Sequence, residues 1–201
     1  MNSVRLILAF TLLAWAQLAH AGAQQYEPLA ASLQAAPHES VSDMGSPQPK
    51  FPNVIEKINW LTEMSHRLSK RMPDRAARVD FLKTVYYEAQ RAGLDPQLVL
   101  GLIQVESGFR KYAVSGAGAR GYMQVMPFWT KLIGNKDQDL FHMRINLRYG
   151  CTILRHYLDI EKGDLYRALG RYNGSLGQPE YPNTVRAAWE KQWAWRPDAG
   201  R

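Results

Sequence analysis

The sequence predicts a mainly α fold carrying one glycine-rich loop or short hairpin. Three observations support this. Apolar residues recur at three- and four-residue steps in separate stretches, the period of one helix face. Cap and stop residues bracket those stretches. One segment, Ser115-Gly116-Ala117-Gly118-Ala119-Arg120-Gly121, is too rich in glycine for a helix and suits a backbone that approaches something closely.

The elements follow in order. Ile55, Ile58, Leu61, Met64 and Leu68 mark one apolar stripe, broken at Pro73-Asp74. Val79, Leu82, Val85, Tyr86 and Ala89 form the inner face of a second helix, and Gly93 ends it. Asp95 caps the third helix and Pro96 fits its first turn. Leu98, Val99, Leu102, Ile103 and Val105 nearly surround that helix, which makes it a buried central one ending at Glu106-Ser107-Gly108. A short helix starts near Pro127, others span about 144–161 and 164–172, and the last runs from Pro182 or Asn183 to Trp195. Trp189, Trp193 and Trp195 fall about one helical turn apart and dock that helix. Phe128 and Trp129 fit core packing or substrate contact equally well.

Arg5, the apolar run from Leu6 to Leu18 and Ala19-His20-Ala21 describe a secretory signal peptide over residues 1–21. Cleavage is expected after Ala21, or else after Ala23; an uncleaved N-terminal anchor is the alternative. Residues 22–53, with five prolines among Ser, Gln and Ala, read as a linker. Residues 54–79 read as an N-terminal helical extension, 80–195 as the main domain and 196–201 as a tail. The chain has 201 residues, 46% of them hydrophobic, enough to fill a core. Its formal charge of +7 suits an anionic polymer or surface, through steering, but no run of five or more Lys/Arg marks a nucleic-acid tail. No stable membrane insertion is expected once the leader is removed. The lone Cys151 cannot form an internal disulfide and reads as a buried small hydrophobe. The histidines are scattered, so neither metal nor cofactor is expected.

Glu106 is the informative residue. It follows the apolar run 98–105, and its nearest acidic neighbours in sequence are Asp95 and Asp137. A carboxyl group at the end of a buried helix is costly to ionise, so its pKa should rise, as a general acid near neutral pH requires. The alternative is a polar residue where the helix emerges.

Three ordered blocks then resemble the signatures of the soluble lytic transglycosylases: Glu106-Ser107-Gly108-Phe109, the segment from Ser115 to Pro127, and Arg171-Tyr172-Asn173-Gly174. The resemblance covers about residues 80–195. It implies the lysozyme-like helical fold, related to goose-type lysozyme, with the glycine-rich loop lining the cleft. It makes Glu106 the catalytic acid/base and Ser107 its supporting neighbour. Met123 and Gln124 match the pair that lines the sugar cleft. Tyr172 matches the tyrosine that reaches toward the glutamate, with Asn173 beside it. Tyr181 resembles the aromatic of a looser fourth block, and Tyr122 stands where leucine is usual. Arg171 replaces a usual alanine, Gly174-Ser175 a usual Ala-Gly, and His142-Met143 a common Asp-Pro ahead of Asn146 and Gly150. Arg171 is expected to point away from Glu106.

The resemblance implies an exported, periplasmic enzyme acting on peptidoglycan strands. It would cleave the β-1,4 bond between N-acetylmuramic acid and N-acetylglucosamine and form 1,6-anhydromuramyl ends. Glycosidases usually use two carboxyl groups. No second acid lies within the central helix or the glycine-rich block, although Asp137, Asp139, Glu161 and Asp164 could fold in. The rivals are a goose-type muramidase hydrolysing the same bond and a catalytically silent wall-binding scaffold. Membership of an envelope or secretion complex is open.

Overall fold

The computed structural model describes residues 49–195; the signal peptide, most of the linker and the tail expected from the sequence lie outside them. Seven helices follow one another: α1 (Val54–Leu68), α2 (Arg75–Arg91), α3 (Pro96–Ser107), α4 (Phe128–Ile133), α5 (Met143–Ile160), α6 (Leu165–Asn173) and α7 (Glu180–Ala188). A π-helical turn, Trp189–Trp193, continues α7. Among the described residues, extended pairing is limited to the isolated antiparallel bridges Val114–Arg120 and Arg120–Val125, a minimal hairpin where the glycine-rich segment was expected.

Local chemistry sets the boundaries. Asn53, Asp74, Asp95 and Asp164 each accept a backbone N–H of the first turn they precede. After α2, Leu94 N–H returns to the Ala89 carbonyl at 2.8 Å while Gly93 takes φ 64°, which closes the helix as expected. Gly108 ends α3 at φ 58° and turns the chain immediately after Glu106.

The buried side chains form one hydrophobic cluster. Trp60, Met64 and Leu68 of α1 belong to it, and α2 runs across the 79/80 division expected from the sequence. The apolar stripe of α1 is only half used. Val54, Ile55 and Ile58 are exposed, because at about 100° per residue they lie on the side of α1 away from the buried Trp60, Met64 and Leu68.

Helix α3 lies at the centre, against α2, α7 and the π-turn. A Cβ at Gly101 would stand 2.9 Å from the Trp189 backbone nitrogen, so glycine permits this close crossing. The sequence suggests one helix running to Trp195; the structure widens its last turn into a π-helix. Trp189 donates its indole N–H to Asp95 Oδ2 at 3.2 Å, and the buried Trp193 donates to Gln104 Oε1 at 2.9 Å. The tryptophans therefore dock this segment on α3, as expected. Trp129 is buried against His156 and Tyr157, which places it in the core. Cys151 is buried too.

One polar cluster ties α2 to α5. The buried carboxylate of Glu88 accepts from Arg148 Nη2 at 2.9 Å and Nε at 3.3 Å. Arg91 and Arg144 stand 3.6 and 3.8 Å from it. Among the described residues, no helix is long and apolar enough to cross a membrane.

Candidate active site

The site forms where the C-terminal end of α3, the glycine-rich loop, α5, α6 and the start of α7 converge. Glu106, the penultimate residue of α3, is 4% exposed. Its Oε1 accepts from the hydroxyl of Tyr181, and its Oε2 is buried with no hydrogen-bond partner among the described residues. Burial pushes the carboxyl from 4.5 to about 8, against the opposing pull of the Tyr181 hydrogen bond. Burial, and next the charge of Glu106, hold the Tyr181 phenol well above its usual range, so it remains a donor. With Oε1 engaged as an acceptor, the carboxyl proton belongs on Oε2.

The loop is fastened from several sides. The Ser107 hydroxyl donates to the Tyr122 carbonyl at 2.7 Å and thereby joins the end of α3 to the loop. Gln124, with φ 48°, turns its amide back to donate to the carbonyls of Gly121 at 2.9 Å and Ala113 at 3.1 Å. From α5, Asn146 accepts the Met123 N–H at 2.8 Å and donates to the carbonyls of Arg120 and Leu140 at 2.8 and 2.9 Å. One side-chain amide thus pairs three backbone groups, two of them buried. A Cβ at Gly121 would stand 2.7 Å from the Leu140 carbonyl oxygen, and one at Gly150 would stand 2.6 Å from Met123 Cβ. Both positions therefore need glycine.

Every site residue expected from the sequence is buried: Glu106, Ser107, Tyr122, Met123, Gln124, Tyr172, Asn173 and Tyr181. The hydrogen bond to Glu106 Oε1 comes from Tyr181. The Tyr172 hydroxyl donates to the Met123 carbonyl at 2.8 Å. The reason is helix placement: α7 packs on α3 and brings Tyr181, in its first turn, to Glu106. Tyr172, near the end of α6, stands close enough to Tyr181 to help raise its pKa. Tyr122 packs on Phe81 with ring centroids 4.8 Å apart. Asn173 closes α6 before Gly174 turns left-handed at φ 81°. Sequence reasoning noted Asn146 and Gly150 without a role; the glycine-rich loop they clamp was the available signal.

The charges around the site follow one logic. Arg171 pairs with Glu161, which also takes Arg167, so it is engaged away from Glu106 as expected. Glu161 is held below its usual range by those two guanidinium groups. Asp164 caps α6, and Asp139 accepts the Phe141 N–H. The two causes that set Glu106 are burial and Tyr181, neither of them a second carboxylate. Among the described residues, no group of three or more His, Cys, Asp or Glu could hold a metal ion.

Comparison with known proteins adds the following. The family model described as "Transglycosylase SLT domain" matches residues 83–192. A protein named "Transglycosylase" from Enterobacteria phage PRD1 is 34% identical over 99 residues, which cover 49% of this chain and 36% of the relative. "Membrane-bound lytic murein transglycosylase C" from Actinobacillus pleuropneumoniae serotype 5b is 51% identical over 47 residues, 23% of this chain and 13% of the relative. The chain therefore spans little more than a third of the first relative's length and far less of the second's. Among solved structures, an inactive mutant of lytic transglycosylase Slt from Pseudomonas aeruginosa aligns with TM-score 0.43 and 23% identity, covering 69% of this chain and 23% of that one.

Proposed function

We propose, from the premise that this chain belongs to the transglycosylase SLT domain family, that it is an exported peptidoglycan lytic transglycosylase with Glu106 as its single acid/base. One observation carries the reading: a buried carboxyl group, fixed through Oε1 by Tyr181 and raised by burial to a pKa of about 8, whose Oε2 has no partner among the described residues.

The proton on Oε2 passes to the leaving oxygen of the β-1,4 bond between N-acetylmuramic acid and N-acetylglucosamine. The substrate's own N-acetyl group stabilises the developing oxocarbenium centre, the task a second carboxylate performs in other glycosidases. The ionised Glu106 then removes the C6 hydroxyl proton, and that oxygen closes on C1. The product is a 1,6-anhydromuramyl end, and no water is consumed. Tyr181 holds the carboxyl in place through both proton transfers and steadies its ionised form. Ser107, Gln124, Tyr172 and Asn146 hold the glycine-rich loop in place beside the end of α3. The protein supplies proton transfer, positioning and a sheltered site. The apolar run at residues 6–18 supports export to the periplasm, where this substrate lies.

The test is product analysis. The purified mature protein digests peptidoglycan and the fragments are resolved by mass spectrometry. Anhydromuramyl ends are expected. Muramic acid with a free reducing end and no anhydro product would assign a muramidase instead, and an absence of cleavage would leave a wall-binding scaffold.

A further inference from the structure

A strip of rings and cations with no task in proton transfer lies on the exposed side of the glycine-rich loop. Tyr112 is 70% exposed and Val114 is 60% exposed. Tyr112 stands beside the half-buried Phe141, with ring centroids 5.8 Å apart and planes tilted by 49°. Each ring has a cation over it. Lys111 Nζ lies 5.1 Å from the Tyr112 centroid, and the Arg120 guanidinium lies 5.8 Å from the Phe141 centroid. Lys111 and Arg120 are exposed as well, and Val114 pairs with Arg120 across the minimal hairpin.

The strip is built on the framework that holds the candidate active site. The Ala113 carbonyl, next to Tyr112, accepts from the Gly121 N–H at 2.9 Å and from Gln124 Nε2 at 3.1 Å. The Phe141 N–H is held by Asp139 Oδ1 at 2.8 Å, and the Leu140 carbonyl accepts from Asn146 at 2.9 Å. Burial, and next the Tyr112 phenol, hold Tyr122 above its usual range, so Tyr112 stands near a buried residue of the site. Tyr112 follows Glu106 by six positions, so the chain alone keeps their Cα atoms within roughly 22 Å. Rings fixed in this way offer rigid contact area with little conformational entropy left to lose.

We propose that Tyr112 and Phe141 form an outlying sugar-stacking site, which takes a ring of the glycan strand away from the bond being cut, while Lys111 and Arg120 pair with carboxylates that the strand carries. Charge complementarity selects this occupant. Both flanking side chains are cations, the acid beside Phe141, Asp139, is engaged with a backbone N–H, and the wall polymer is anionic. The identity of the occupant rests on the peptidoglycan reading. The site adds grip without touching the reacting atoms, so it favours long strands over short fragments.

Co-sedimentation with insoluble peptidoglycan tests the proposal, using the full mature chain with Glu106→Gln so that the polymer stays intact. Tyr112→Ala and Phe141→Ala should each weaken binding about tenfold. Tyr112→Phe should bind like the parent, because the ring and not the hydroxyl makes the contact. Lys111→Gln combined with Arg120→Gln should weaken binding most at low salt. Ile58→Ala, at an exposed apolar residue of α1, should leave binding unchanged. A soluble disaccharide-peptide, too short to reach beyond the cleft, should bind the parent and Tyr112→Ala alike. Unchanged polymer binding in Tyr112→Ala would overturn the proposal, as would an equal loss in Ile58→Ala, in Tyr112→Phe or with the short fragment. The cleavage reading is judged separately, by digestion products of the unsubstituted protein. A chain that binds through Tyr112 and does not cleave keeps this site and loses the enzyme; one that cleaves, with binding indifferent to Tyr112→Ala, keeps the enzyme and loses the site.

Discussion

Two glutamates of this protein are almost equally hidden from water, and their surroundings give them opposite characters. Glu88, 1% exposed, sits among three arginines, and its charge joins α2 to α5. Glu106, 4% exposed, meets a phenol hydroxyl, and burial drives its carboxyl up to about 8. Depth alone therefore does not make a buried acid a proton donor. What decides is whether the fold supplies a cation. A guanidinium fork makes the carboxylate a structural anion, whereas a neutral donor on one oxygen leaves the other carrying a proton at neutral pH.

Removing each carboxyl group in turn tests this contrast most severely. Glu106→Gln should lower peptidoglycan cleavage by about 100- to 10,000-fold while the protein stays folded, as read by turbidity loss and circular dichroism. Near-normal turnover would break the contrast. Glu88→Ala should do the reverse and cost about 3–5 kcal/mol of stability in denaturant titration, because it leaves buried guanidinium groups uncompensated. The same Glu106→Gln variant should have a distinct stability profile. Since the folded state raises the Glu106 pKa, it holds more protons than the unfolded chain between about 4.5 and 8. Stability from this group is full below that window and falls as pH rises through it. The glutamine variant should therefore match the parent near pH 4 and exceed it at pH 9, by on the order of a few kcal/mol. The smallest effect is expected for Tyr181→Phe. It removes the one interaction that lowers the Glu106 pKa, so the alkaline limb of the cleavage profile should move upward by up to about one pH unit. A downward shift would mean that Tyr181 does not act on Glu106.

Much of this was legible in the sequence. Asp95, Pro96 and Gly108 bracket α3, so both the burial of Glu106 and its place at the helix end could be read from neighbouring residues. Features joining distant parts of the chain were less accessible. The close crossing of α3 and the π-turn depends on the missing Cβ of Gly101, a contact that no local period reports. The hydrogen bond from Tyr181 to Glu106 depends on how α7 packs on α3, and a motif carrying Tyr172 beside Asn173 does not encode that. Ile55 and Ile58 match the period of the α1 stripe but stay exposed among the described residues, since three-residue steps turn them away from the buried face. Arg144, Arg148 and Arg155 share a helical face in the sequence; only folding brings Glu88 to them.

Titration of the Glu106 side-chain carboxyl by carbon-13 NMR, in the mature protein without substrate, tests the central claim most directly. A midpoint near pH 8, moving upward in Tyr181→Phe, is the predicted result. A midpoint near 4.5, unchanged by that substitution, would mean the carboxyl is ionised at neutral pH and cannot be the acid that opens the glycosidic bond.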